Sequence, residues 1–340
     1  MAIITQGVIK FLGLNPPSSR RSGFHGNLVL YCRPPYPLMF PIPENFSQRI
    51  LQMHAEPGRT WLAALPATLD SYAQRWSLTL HPPFALSFNY VCPATRADGR
   101  EAVLKLGFPN QELLSEMHAL QHFEGRGMVK MLEADFEQQV FLLERIRPGV
   151  ELVTVKDEDA VARIAAQVMQ QFWQPVTSAR PLLTVESWTS GLTKLRPFFN
   201  GTTGPFAPQL VEAAEQIFAE LVPDQGERVL LHGDLHHWNI LSATRQPWLA
   251  LDPKGVIGER EYEVGALIRN PDLDHFSEAE LKRVQTRRLD IFAEMLGFDR
   301  QRMLLWSLAQ AVLSAWWAME DEGDFWQQGM RCAQVLYDLR

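Results

Sequence analysis

The spacing of hydrophobic residues changes twice along the chain. Hydrophobic side chains recur at helical intervals in two early segments, which predicts helices at Phe46–His54 and Thr60–Trp76. From Trp76 the period becomes two, which predicts strands, and a helical period returns after Pro148-Gly149, which we interpret as a linker. The pattern therefore predicts an α+β protein, in which a small strand-rich lobe precedes a larger helical lobe.

Polar and hydrophobic positions also place the elements of each lobe. The predicted strands alternate in polarity and are Trp76–Leu80, Leu86–Cys92, Glu101–Leu106, Met128–Ala134 and Gln139–Leu143. The further predicted helices are amphipathic and are Gln111–Phe123, Asp157–Phe172, Leu210–Leu221, Glu278–Leu296 and Arg302–Ala318. We expect a poorly structured extension over residues 1–42, a first lobe with its leading helices over 43–147 and a helical lobe over 148–340.

One segment between these helices carries candidate chemistry. Asp234 lies in His-Gly-Asp-Leu-His-His, Asn239 follows five residues later, and Asp252 comes after a predicted hairpin. The strands Asn239–Leu241 and Trp248–Leu251 would return the chain so that Asp252 lies beside the other two side chains. Phosphoryl transfer requires a carboxylate that accepts the proton of an acceptor hydroxyl, and an amide oxygen and second carboxylate that hold magnesium. The segment therefore predicts an ATP-dependent phosphotransferase.

Neighbouring histidines allow a different interpretation. His236 and His237 suggest a metal site, and Gly-Asp-x-His has a slight likeness to metallophosphoesterases. No second segment of that kind completes a two-metal site, so we favour phosphoryl transfer. The same reasoning predicts that His232 braces the loop.

A strand lysine and a helix acid occur in the order that phosphate binding requires. Lys105 lies near the end of the third predicted strand, and Glu116 lies on the helix that follows, with Glu112 one turn away as a rival. Such a pair would position the α- and β-phosphates of ATP. The chain has no G-x-x-x-x-G-K-[ST] loop, and the loop His81–Leu86 lacks the G-x-G-x-x-G of protein kinases, so its phosphate cover must use other backbone geometry.

Two further segments each remain open to two interpretations. Beside the predicted linker, Arg145 and Arg147 are surface charges in one interpretation; in the other, the backbone of Glu144 to Ile146 presents hydrogen-bonding groups to adenine. Near the C-terminus, Glu320, Asp321 and Glu322 lie among tryptophans. They are either solvated acids at a helix end or an acidic, aromatic wall for a cationic substrate.

Composition restricts the partners more than the fold. The net charge of −7, without a lysine and arginine block, argues against nucleic acid as a partner. No apolar run approaches the roughly eighteen residues of a spanning helix, which argues against a membrane. The scattered Cys32, Cys92 and Cys332 indicate a reducing, cytoplasmic setting.

The motifs together resemble a known family. The stretch 231–241, Leu-Asp-Pro-Lys-Gly from Leu251, Gly-Glu-Arg from Gly258 and Arg-Asn-Pro from Arg269 are similar to the aminoglycoside/hydroxyurea antibiotic-resistance kinases, which include streptomycin 6-kinases. The resemblance runs from about Pro43 to the C-terminus. It implies a two-lobed, protein-kinase-like fold, with nucleotide binding in the first lobe and the catalytic loop and substrate site in the second.

The resemblance also implies residue roles. Asp234 would be the catalytic base, Asn239 and Asp252 the magnesium ligands, and Lys105 with Glu116 the phosphate-positioning pair. The segment Glu144–Ile146 would be the hinge that binds adenine. For the substrate, we expect contributions from the acids Glu259, Glu320, Asp321 and Glu322.

Three positions in these motifs carry further information. Gly233 stands where protein kinases often have an arginine that binds a phosphorylated activation loop, so such control is not expected. Trp238 replaces a small or polar residue common in relatives, and Glu263 replaces a shorter aspartate. Both bear on substrate identity.

The sequence thus favours a kinase that uses ATP and Mg²⁺ to phosphorylate a hydroxyl of a streptomycin-like aminoglycoside. A related kinase of hydroxyurea, an amino alcohol or a sugar is the alternative. A catalytically inactive nucleotide-binding scaffold would be expected to have lost Lys105, Asp234 or Asp252, and all three are present.

Overall fold

A computed structural model describes residues 40–176, 182–271, 276–320 and 326–340. Within those ranges no helix is long and apolar enough to cross a membrane. The predicted extension over residues 1–42 lies almost entirely outside the described residues.

The described residues form helices and strands in the following order along the chain. The α-helices are α1 (Glu44–Arg75), α2 (Gln111–Phe123), α3 (Glu158–Phe172), α4 (Val185–Thr189), α5 (Leu195–Phe198), α6 (Pro208–Leu221), α7 (Gly265–Ile268), α8 (Glu278–Leu296), α9 (Arg300–Glu320) and α10 (Trp326–Tyr337). The strands are β1 (Leu78–Leu80), β2 (Asn89–Arg96), β3 (Glu101–Gly107), β4 (Met131–Asp135), β5 (Val140–Glu144), β6 (Pro148–Glu151), β7 (Leu183–Thr184), β8 (Arg228–Leu231), β9 (Ile240–Ala243), β10 (Trp248–Ala250) and β11 (Val256–Glu259). Short 3₁₀ helices occupy Leu152–Thr154, Ser190–Lys194 and Arg260–Val264.

Most predicted elements agree with these bounds. Helices α2 and α8 begin and end where the sequence predicts. The first two predicted helices join into α1, which is interrupted at Ala55 by a backbone φ of 47°. This break falls between the two helices that the hydrophobic pattern predicts, Phe46–His54 and Thr60–Trp76. Pro148-Gly149 differs from the prediction, because it begins strand β6, which pairs with β9 instead of forming a linker.

One compact unit comprises residues 40–108 and 140–145. Its strands β1, β2, β3 and β5 pair antiparallel in that order. Alternate residues of β2 and β3, including Tyr90 and Leu104, are buried in one cluster with Phe46 and Ile50 of α1. The apolar face of the sheet thus packs against the apolar stripe of α1, so that both surfaces are removed from water.

The other compact unit comprises residues 109–139 and 146–340 within the described ranges. Its helices α3, α8, α9 and α10 pack together, and Trp306 and Trp316 of α9 are fully buried. Two small sheets lie in this unit, with strand orders β10-β9-β6 and β7-β11-β8. The loop between β8 and β9 carries the segment of candidate chemistry.

This division differs from the predicted boundary after residue 147. Residues 109–139, which contain α2 and β4, belong to the larger unit. The Ser115 hydroxyl of α2 donates a buried hydrogen bond to the Gly255 carbonyl, at 2.9 Å. Arg245 donates to the carbonyls of Gly125 and Met128. These long-range contacts explain the difference, since local hydrophobic periodicity carries no information about them.

The contact between α2 and Gly255 gives a stability prediction. Gly255 has a φ of 69°, and an added Cβ would lie 2.7 Å from the Ser115 carbonyl oxygen. Gly297 has a similar φ of 72° and no atom within 4 Å. Gly297→Ala should therefore cost only the conformational penalty, about 1–2 kcal/mol. Gly255→Ala should lower the free energy of unfolding by a further ~1–3 kcal/mol, because backbone must also move.

Urea denaturation of both variants measures the difference. Equal destabilisation by the two substitutions would contradict a tight contact between α2 and Gly255.

Candidate active site

The loop 232–239 is almost wholly buried between β8 and β9. Val229, Leu230 and Leu231 fill the core before it, and Ile240 does so after it. The loop's first backbone groups are held by Glu263, whose carboxylate accepts the N–H of His232 at 2.7 Å and that of Gly233 at 3.0 Å. The buried strands before and after the loop, together with the Glu263 carboxylate, thus fix the position of its first residues.

Glycine is required at the second loop position. Gly233 has a φ of 84°, and a Cβ there would meet the Val256 side chain at 2.7 Å. This left-handed conformation turns the chain between two consecutive N–H groups that share one acceptor. No other residue could take this turn without moving β11.

His232 is fixed as a neutral tautomer. Its Nδ1 accepts the backbone N–H of Asp234 at 3.2 Å, and its Nε2 donates to the Leu251 carbonyl at 2.8 Å. Burial lowers the pKa of His232 to about 4. The ring therefore braces the loop against β10, in agreement with the sequence interpretation.

The Asp234 carboxylate has two close neighbours in the buried loop. Arg269 donates from Nη2 to Oδ1 at 2.6 Å, and His236 Nε2 lies 3.6 Å from Oδ2. Burial alone would raise the pKa of this carboxyl, but nearby His236 and Arg269 hold it below its ordinary value. Asp234 is therefore ionised and oriented, as a proton acceptor requires.

Asn239 and Asp252 are delivered by the β9–β10 hairpin. Asn239 Nδ2 donates to the Asp234 carbonyl at 3.0 Å, which turns the amide nitrogen toward the loop. The Asn239 carbonyl accepts the N–H of Leu251 at 3.0 Å, so the residue before Asp252 is tied to Asn239. The hairpin predicted from the sequence is present, and both oxygen-bearing side chains are held through it to the loop of Asp234.

Lys254 adds a cation that the sequence interpretation missed. Its Nζ lies 3.5 Å from Asp252 Oδ2. Burial alone would lower the pKa of Lys254, but the carboxylates of Asp252 and Glu112 raise it, with smaller contributions from Asp234 and Glu116. The lysine is therefore charged and attracted to both candidate acids of α2. Its place in Asp-Pro-Lys-Gly was visible in the sequence, but its partners were not.

The residues predicted for nucleotide binding lie in different parts of the molecule. Lys105 is buried on β3, with Nζ 5.7 Å from the centre of the Phe141 ring. Glu144 ends β5, and the buried Ile146 follows it. Glu116 is buried on α2, which belongs to the larger unit. The pairing of Lys105 with Glu116 and the adenine-binding role of Glu144 and Ile146 stay predictions.

Glu259 is buried and bonded within the protein. Its side chain is 2% exposed, and its carboxylate accepts from Arg302 Nε at 2.6 Å and Nη2 at 2.9 Å. It also accepts from the Trp306 indole and from the backbone N–H of Gly226. These contacts make Glu259 a buried anchor for α9, and its contribution to substrate binding stays a prediction.

The predicted acidic wall is only partly described. Glu320 ends α9 half-buried, with a carboxylate oxygen 4.0 Å from Lys194 Nζ. Burial raises the pKa of Glu320. Asp321 and Glu322 lie outside the described residues.

Comparison with known proteins identifies the family of this chain. A family model described as aminoglycoside/hydroxyurea antibiotic resistance kinase matches residues 76–322. The chain belongs to this family. It is a kinase that transfers phosphoryl groups to small molecules, so the predicted family and reaction class are confirmed.

Relatives and solved structures place the kinase further. It is 32% identical to streptomycin 6-kinase of Streptomyces glaucescens over 82% of this chain and 91% of the relative. It is 32% identical to hydroxyurea phosphotransferase of Kitasatospora aureofaciens over 82% of this chain and 81% of the relative. A structure of aminoglycoside phosphotransferase APH(4)-Ia, in ternary complex with ADP and hygromycin B, superposes with a TM-score of 0.53 at 15% identity. The match covers 79% of this kinase and 97% of that chain. The predicted kinase-like fold is confirmed.

Glu263 makes the stability of this kinase depend on pH. Burial raises the pKa of Glu263 to about 7, while the N–H groups of Gly233 and His232 oppose the shift and the charge of Asp234 adds to it. A carboxyl with a raised pKa binds more protons in the folded state, so its contribution to stability is full below about pH 4.5 and is lost as pH rises through about 7.

Glu263→Gln removes this titration, so the free energy of unfolding of the wild type should fall relative to that of the variant from about pH 4.5 to 7. Urea denaturation at several pH values measures the difference. Parallel pH curves for the two proteins would contradict it.

Proposed function

We propose that this kinase transfers the γ-phosphoryl group of ATP to a hydroxyl of a streptomycin-like aminoglycoside. The observation that carries the proposal is the joining of Asp234, Asn239 and the strand end before Asp252 by hydrogen bonds in one buried loop and hairpin. The relatives named above support the substrate class, since one is a streptomycin 6-kinase. A hydroxyurea phosphotransferase of equal identity supports hydroxyurea as the second candidate acceptor.

Asp234 would act as the base. Its carboxylate would accept the proton of the acceptor hydroxyl while that oxygen forms a bond to the γ-phosphorus. The bond between the γ-phosphorus and the β–γ bridging oxygen breaks, and ADP leaves with that oxygen. Arg269 supports this role, because its guanidinium holds the carboxylate in place without taking both of its oxygens.

Asn239 and Asp252 have the donor set that Mg²⁺ prefers, an amide oxygen and a carboxylate. Asn239 uses its nitrogen to bind the loop, so the same amide presents its oxygen to the opposite side. Lys254 lies beside Asp252, with its Nζ 3.5 Å from Oδ2 of that carboxylate. Bound magnesium would supply charge neutralisation for the phosphates of ATP.

The remaining nucleotide contacts are part of the same proposal. We assign the α- and β-phosphates to Lys105 and Glu116, and the adenine to the backbone of Glu144 and Ile146. Burial of Lys105 on β3 supports its assignment, since a buried ammonium favours an anionic partner. The proposed location is the cytoplasm, where ATP is available and the cysteines stay reduced.

A panel of acceptors tests the proposal. Purified enzyme with labelled ATP and Mg²⁺ should phosphorylate streptomycin in preference to hydroxyurea, other aminoglycosides and amino alcohols. Asp234→Ala should lower kcat by about a thousandfold or more, because the carboxylate that accepts the proton is lost, while ATP still binds. Asp159→Asn, at an exposed ion pair in the first turn of α3, serves as the matched control and should retain activity.

Preferential transfer to hydroxyurea would replace the aminoglycoside by the second candidate. An Asp234→Ala enzyme with full kcat would contradict the role of the base.

Glu320 provides a test of the cationic substrate. Its position at the end of α9, half-buried and with an oxygen 4.0 Å from Lys194 Nζ, supports a role in attracting positive charge. Glu320→Lys should raise KM for streptomycin about tenfold and leave KM for ATP unchanged, because it repels only the cation. Glu294→Lys, at an exposed position of α8, is the control for a general change in net charge. Equal KM values for the two variants would remove Glu320 from the substrate site.

A further inference from the structure

Arg288 is a fully buried arginine on α8. Its Nη1 donates to two backbone carbonyls, those of Leu267 at 3.0 Å and Asn270 at 2.7 Å. These carbonyls flank Arg269, the residue whose guanidinium holds the Asp234 carboxylate. The Arg288 side chain therefore binds the backbone before and after Arg269.

The other donors of Arg288 reach the catalytic loop and α3. Nη2 donates to Nε2 of His237 at 3.2 Å, and Nε donates to the Glu158 carboxylate at 3.1 Å. Because Nε2 of His237 accepts, this ring is neutral, and burial followed by the charge of Arg288 lowers its pKa well below the ordinary value. His237 lies two residues before Asn239. Arg288 thus connects the segment of Arg269, the loop of Asp234 and Asn239, and helix α3.

A simple structural ion pair would not require this arrangement. The adjacent Arg287 also pairs with α3, through Asp159, but both side chains are about half exposed and neither touches the loop. A guanidinium with five donors in a rigid plane can satisfy two carbonyls, an imidazole and a carboxylate at once, whereas a lysine cannot.

We propose that Arg288 is a positioning residue for phosphoryl transfer, which acts through Arg269 by fixing the backbone that sets the Arg269 guanidinium on Asp234. The inference rests on the proposed role of Asp234 as the base. It predicts that the geometry around Asp234 depends on Arg288 although Arg288 touches neither ATP nor the acceptor.

The decisive comparison is Arg288→Lys with Arg287→Lys. The first variant keeps the charge but loses the planar fork, so kcat should fall by about ten- to a hundredfold while KM for ATP changes by less than about threefold. The second variant should resemble the wild type. Equal kcat values for the two variants would overturn the proposal.

A double-mutant cycle tests whether Arg288 acts through Arg269. In an Arg269→Gln background the guanidinium on Asp234 is already gone, so Arg288→Lys should cause a much smaller further loss of kcat. Fully additive losses would show that Arg288 acts independently of Arg269, and would also overturn the proposal.

Two measurements keep the test valid if a variant folds poorly or activity is low. Glu158→Gln weakens the anchor of Arg288 and should lower kcat, whereas Asp159→Asn on the same helix should not. Hydrogen–deuterium exchange of peptides covering 232–241 and 262–271 should be faster in Arg288→Lys than in Arg287→Lys.

The two proposals fail differently. A wild-type enzyme that phosphorylates none of the acceptors contradicts the proposed function, and the exchange experiment still decides on Arg288. An active wild type with unchanged exchange and kcat in Arg288→Lys contradicts only the positioning role.

Discussion

The burial of charge governs the arrangement of this site. Asp234, Glu263 and Arg288 are each less than 5% exposed, and an isolated ion in such surroundings would be strongly unfavourable. Each therefore has partners with good geometry: a guanidinium for Asp234, two backbone N–H groups for Glu263, and carbonyls with a carboxylate for Arg288. Because these partners come from distant segments, satisfying the charges also brings the loop 232–239, the segment of Arg269 and α3 into one fixed arrangement.

The elements that sequence reasoning located well are those with local determinants. Helix α2 begins after Asn110, whose side chain accepts from the Leu113 N–H. Helix α8 begins at a capping box of Ser277 and Glu280 and ends at Gly297 in a left-handed conformation. Caps, turn residues and hydrophobic period all lie within a few positions of the element they define, so a single sequence contains the information. The hairpin that precedes Asp252 belongs to the same class.

The determinants that sequence reasoning missed are long-range. Glu259 lies in a family motif, but its partners Arg302 and Trp306 lie more than forty residues later, and no local pattern identifies them. The residue types at Arg269 and Lys254 were visible, but nothing in their spacing identifies Asp234 or Asp252 as the partner. Likewise, α2 was grouped with the strand-rich lobe because it follows those strands in the chain, whereas Ser115 binds Gly255, 140 positions away. The spacing of residues predicts helices, strands and turns, but it does not predict which buried charged side chains form ion pairs.

Two of the ion pairs between α8 and α3, those of Arg287 and Arg288, differ in one further property, their response to salt. Arg287 and Asp159 are open to solvent, with side chains 46% and 41% exposed, whereas Arg288 is 1% exposed. Mobile ions weaken an ion pair between solvent-exposed side chains as ionic strength rises, and they screen a partly buried pair such as that of Arg288 much less. Rising ionic strength should therefore weaken the ion pair between Arg287 and Asp159 more than the ion pair between Arg288 and Glu158. The contact of Arg288 with α3 and the loop 232–239 would therefore stay the same over a range of ionic strengths, including solutions that contain a multivalent organic cation.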